Sequence, residues 1–233
     1  MLKRLALALV LLLAACQAPA PRPTAEAMSD AALAQYRAPL AGEGVRYRLD
    51  AAASRLTIYA FRGGAAAKYG HNHVLAAPQL EGELLLPGEA LRGAQFTLRL
   101  RLDQLQIDDA ALRAQTGGSF ASLRSAADIE GTQRNMLKSL DAAQYPDVVI
   151  NSIEVAGDWP LAVARIAVTL HGVTREQRVA LRVERDAAGL RASGALALRQ
   201  SDYGVQPFSI LGGALSVQDE LAVEFRLVAK PSS

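Results

Sequence analysis

Two of the chain's three histidines sit one residue apart. They are His71 and His73, in "KYGHNHVLA", residues 68–76. The third, His171, lies in "VTLHGV". If residue 73 opens a strand, His71 and His73 project to the same side. Two imidazoles so placed can share a divalent metal. His171 could complete a three-histidine set with an open position, suited to zinc or a similar ion, if the two strand ends meet. The same rings, left neutral, each offer a donor and an acceptor. That suits a polar clamp for a ligand head group, with Tyr69 and Asn72 beside it. A third use is structural: a histidine capping a turn and hydrogen-bonding backbone. Catalysis has less to draw on. A histidine base needs a nucleophile or a substrate proton within reach. The chain carries no Gly-x-Ser-x-Gly elbow, and Gly63-Gly64 and Gly212-Gly213 lack the flanking pattern of a phosphate loop. Asp108-Asp109 follow a strand pattern and read as solvated turn residues. These residues describe a binding protein, not an enzyme.

The single cysteine excludes a disulfide within the chain and fixes the reading of the first residues. Lys3 and Arg4 precede "LALALVLLLAA", residues 5–15, an apolar run shorter than the roughly 20 residues of a spanning helix. "LAAC" then ends at Cys16 and resembles the lipobox of bacterial lipoproteins, whose cysteine carries the lipid. Residues 1–15 are thus expected to be a signal peptide. Residues 16–44 are expected to be a lipidated N-terminus with an Ala/Pro-rich tether, including a short helical segment at 29–37. Gln17 follows the cysteine where an aspartate would mark inner-membrane retention. The expected location is the periplasmic face of the outer membrane. Without residues 1–15, basic and acidic residues balance at 23 each. No basic stripe points to nucleic acid.

Residues 45–230 are expected to form one all-β domain. "FTLRLRLD", 96–103, "RVALRVER", 178–185, and "ELAVEFRL", 220–227, alternate strictly. Such alternation marks strands with one wet and one apolar face, and suggests antiparallel pairing. Further strands are read at 45–49, 55–62, 73–86, 104–108, 147–155, 161–170 and 190–199. Met136, Leu137 and Leu140 keep helical spacing within 125–146, and Pro146 stops that helix. One helix inserted among about eight antiparallel strands suits a closed barrel, filled by side chains or holding one small ligand. A sandwich is the other all-β solution. Trp159 reads as turn or rim packing, and Asp202-Tyr203-Gly204 as a structured connection. The apolar faces of Phe96, Leu98, Val179, Leu181, Leu221 and Phe225 would look the same around a cavity or in a solid core.

Four stretches in order resemble the YceI family of exported, lipocalin-like barrels. They are "YRLDAAASRLTIYAFR", "QRNMLKSLDAAQYPDVVINSIEV", "VTLHGVTREQRVALRVE" and "RQSDYGVQPFSILGGALSVQDELAVEFRLV". The likeness spans residues 45–229. It departs at Arg134-Asn135, where the family usually has Arg-Asp, and in residues 110–130. The resemblance implies a hollow barrel enclosing a polyisoprenoid or quinone-like amphiphile, for storage, transport or protection. The residues expected to bind it are His71, His73, Tyr59, Phe61, Phe96, Leu98, Val179, Leu181 and Phe225. A divalent metal on His71, His73 and His171, in a metal-binding protein or a metalloenzyme on the same barrel, is the competing reading. The oligomeric state is open.

Overall fold

The computed structural model describes residues 40–232. The signal segment, Cys16, most of the tether and the helical reading at 29–37 lie outside the described residues. Twelve strands follow in order: β1 (Val45–Leu49), β2 (Arg55–Gly63), β3 (His73–Ala76), β4 (Glu81–Leu86), β5 (Gln95–Arg101), β6 (Gln106–Ile107), β7 (Asp147–Asp158), β8 (Leu161–Leu170), β9 (Val173–Asp186), β10 (Gly189–Arg199), β11 (Ser209–Ile210) and β12 (Leu215–Pro231). Two helices, α1 (Ala110–Thr116) and α2 (Ala126–Ser139), fall between β6 and β7.

The barrel closes because β12 is long enough to serve two partners along one edge. Ser216–Arg226 pair with β2, and Ala229–Pro231 pair with β1. The ring β1-β4-β5-β7-β8-β9-β10-β12 then returns to β1, with eight strands and antiparallel pairing throughout. Closure leaves the ring no free edge. β2, β3 and β6 extend the sheet from β12. This decides for the barrel over the sandwich.

The strand read at 73–86 is two strands. Ala77–Leu80 separate β3 from β4, and Pro78 within them has no N–H to give a ladder. β3 joins β2, whereas β4 joins β1 and β5. The strand read at 104–108 shortens to β6. Residues 110–130, where the family likeness departs, contain α1 and the start of α2. Asp109 caps α1 by accepting the Leu112 N–H at 2.9 Å.

Helix α2 starts with a capping box. Ser125 accepts the Asp128 N–H, and Asp128 accepts the Ser125 N–H. Ile129, Met136, Leu137 and Leu140 pack on Leu100, Leu102, Leu105 and Ile107. The helix therefore covers one end of the barrel, called the lower end below. At the upper end, Leu91 and Ala94 of the β4–β5 loop are buried in the other core cluster. Trp159 packs there and donates its indole N–H to the Glu89 carbonyl at 2.7 Å. Arg185 lies over the Trp159 ring and pairs with Glu89.

Two turns show why glycine is required. His171 and Gly172 both have positive φ, +53° and +71°, and join β8 to β9. Two positive-φ residues match the right-handed twist of a hairpin. A Cβ on Gly172 would lie 2.5 Å from the Tyr145 ring, so this turn and the "QYP" stretch pack face to face. Gly189, between β9 and β10, has φ +137°, and a Cβ there would approach the Ala229 carbonyl oxygen to 2.1 Å. Gly189→Ala is expected to lower stability by about 2 kcal/mol, since strain of this kind costs on the order of 1–3 kcal/mol. The midpoint of urea unfolding checks this.

Candidate functional site

The barrel interior holds two adjoining cavities. Alternation sends Phe96 and Leu98 of β5, Val179 and Leu181 of β9, and Phe225 of β12 into an upper chamber of about 130 Å³. A lower chamber of about 240 Å³ lies beneath it against α2. Leu56, Ile150, Ile166, Leu196 and Val223 line both, so the two meet at that waist. The upper lining is almost wholly aliphatic and aromatic. The lower lining adds a few polar side chains: His73, Thr132, Asn135, Ser139 and Gln200. An apolar cavity with a few polar groups at one end is the usual form of a small-molecule site.

Tyr59 and Phe61 are not part of this lining. On β2 it is Leu56, Ile58 and Ala60 that face the chambers, so the period of two sends Tyr59 and Phe61 to the other side. There both rings meet Phe120 edge-on, at centroid distances of 5.6 and 6.1 Å. The Tyr59 hydroxyl donates to Glu224 at 2.9 Å.

The histidines separate into three environments. His71 is exposed. Partial loss of hydration, then the charge of Arg124, pushes its pKa below the ordinary value. His171 is held in its turn, with Nδ1 3.1 Å from the Tyr203 carbonyl and its ring edge-on to Tyr145. His73 alone reaches the lower chamber. Among the described residues, no three His, Cys, Asp or Glu side chains are grouped to hold a metal ion. The three-histidine site is therefore not assembled: the hairpin geometry engages His171 elsewhere, and His71 stands outside the strand that orients His73.

His73 has a partner that the sequence reading placed in solvent. Asp108 is not a solvated turn residue; it is 2% exposed. Its Oδ2 lies 2.6 Å from His73 Nδ1. Its Oδ1 accepts the Val74 N–H at 3.0 Å and Arg113 Nη1 at 2.5 Å. Arg113, on α1, is fully buried, and also donates to the carbonyls of Asn72 and Ser122. Asn72 accepts the Arg62 N–H and donates to Ser119. The "GHNH" stretch is thus fixed by a buried ion pair contributed from the β6–α1 segment. Burial by itself raises the Asp108 pKa. Hydrogen bonds from His73, Val74 and Arg113 outweigh it and hold the carboxyl below its usual value.

Asp108 and Arg113 carry one sequence signal: Asp-Asp followed by Arg at i+5, with the second aspartate capping a helix. Asn135, where the family usually has an aspartate, and the waist residue Leu196 also line the cavity. The helix carrying Arg134-Asn135 begins eight residues earlier than that pair, at Ala126. Asn135 accordingly faces the lower chamber from the helix interior.

Comparison with known proteins agrees with this architecture. The crystal structure of Burkholderia cenocepacia BcnA superposes with a TM-score of 0.58 at 14% identity, covering 78% of this chain and 99% of that one. A mutant of the Campylobacter jejuni YCEI protein, made for nanotechnology applications, gives a TM-score of 0.51 at 9% identity, covering 68% of this chain and 84% of that one. At these identities the likeness is one of fold. No curated protein is similar enough in sequence to count as a match. The YceI-like domain model matches residues 47–229, most of the chain, and the chain therefore belongs to the YceI-like family.

Proposed function

We propose that this protein binds the apolar tail of an amphiphile inside its barrel, for storage, transport or protection. The ligand class is an isoprenoid or quinone-like lipid. Lipid on Cys16 would tether the barrel to the periplasmic face of the outer membrane. The observation that carries the reading is a pair of apolar chambers that adjoin inside one barrel and share five lining residues. A long tail can leave water along their combined length, at roughly 25 cal/mol per Å² of apolar surface buried. Such binding tolerates variation in the tail, because it rests on area and not on many directed contacts. The role is one of binding, not turnover. The carboxylate behind His73 is already committed to Arg113 and to the Val74 N–H.

Native mass spectrometry tests the proposal. The exported form, purified without detergent, is expected to carry an added mass of lipid size that organic extraction removes. A bare polypeptide mass, unchanged after incubation with a long-chain prenol, would refute it.

A further inference from the structure

We infer that His73 is a specificity-determining residue, and that it selects amphiphiles whose head group carries a free hydroxyl. This inference rests on the binding function proposed above.

The argument begins with the proton on the imidazole. Asp108 is ionised: its Oδ1 takes the Arg113 guanidinium and the Val74 N–H, with no proton of its own to give. An ionised carboxylate only accepts. At 2.6 Å from Asp108 Oδ2, His73 Nδ1 must therefore be the donor. In the neutral ring this leaves Nε2 as a bare acceptor. Nε2 has no hydrogen-bond partner among the described residues, although the ring lines the lower chamber. The buried Arg113 and Asp108 lock this tautomer from behind.

The chamber thus offers a fixed lone pair at the end of an apolar passage. A hydroxyl head group can donate to it. An ether, an ester or a hydrocarbon end of the same size cannot, and leaves Nε2 unpaired. Asn135, on the chamber wall and without a side-chain partner among the described residues, can donate to the hydroxyl oxygen in return. A site that pairs a hydroxyl disfavours the analogue lacking it, because the polar atom is then left buried and unpaired.

The test uses the full chain held in lipid nanodiscs, with empty nanodiscs as the blank. The probes are geranylgeraniol and its methyl ether, which share one tail. The alcohol is expected to bind roughly tenfold more tightly than the ether, the scale of one buried hydrogen bond. His73→Phe is expected to bring the two affinities together, by a roughly tenfold loss specific to the alcohol. Equal affinities in the unaltered protein would overturn the inference and leave the lipid-binding function standing. A preference for the alcohol that survives in His73→Phe would also overturn it. Binding of neither probe would overturn both.

Discussion

Arg113→Met is expected to destabilise the barrel by about 3–5 kcal/mol, the cost of leaving a buried charge without its partner. For a chain of this size that is a fall in melting temperature of roughly 6–20 °C. The side chain is fully buried, and it supplies the short contact that neutralises Asp108. Methionine keeps most of the volume, so packing loss contributes little. The pH dependence identifies the cause. In the native protein Asp108 titrates below its unfolded value. Its contribution is present above the unfolded pKa and is lost as pH falls through the folded one. Without Arg113 one of the hydrogen bonds that hold the Asp108 pKa down is lost, and the pKa moves up. The penalty of the substitution should then shrink on acidification, because the carboxyl takes a proton. Asp108→Asn in the Arg113→Met background should recover part of the loss at neutral pH. Urea unfolding across the acid range measures all of this. A penalty under about 1 kcal/mol that does not vary with pH would mean that the pair is a minor contributor.

The barrel was legible because its physics is local and periodic. β8 and β10 are nearly the segments that alternation predicts, and Phe96, Leu98, Val179, Leu181 and Phe225 face inward as their parity requires. Where parity had no reference, the reading failed. Tyr59 and Phe61 are expected among the ligand-binding residues, yet Ile58 and Ala60 hold the inner face of the same strand. The split of 73–86 into β3 and β4 depended on which neighbours each half pairs with, which periodicity does not encode. Asp108 is the deeper failure. A lone aspartate after a strand looks solvated in any sequence. What buries it is Arg113 on a helix too short to announce itself, together with Asn72 between the two histidines. The histidine pair looked like one site. The fold makes it two different residues, because only His73 is in a strand and only His73 has a carboxylate behind it.

The waist yields the second large effect. Leu196 is on β10, is half-buried, and lines both chambers. It pairs across the sheet with Val223, which also lines both. An indole at this position would divide the passage. Leu196→Trp is therefore expected to exclude part of a long tail from one chamber. Each methylene kept in water forfeits about 0.8 kcal/mol, less the ordering cost that it no longer incurs. Even one excluded isoprene unit then comes to about 2–3 kcal/mol, roughly 30–150-fold in Kd. Geranylgeraniol should show that loss. Geraniol, short enough for one chamber, should bind almost as before. Added bulk in a packed core costs about 1–3 kcal/mol, so unfolding of the variant must be measured beside its binding. Equal loss for both prenols, in a variant that stays folded, would mean that the two chambers do not serve one tail. The lower chamber, with His73 at its wall, would then be the whole site.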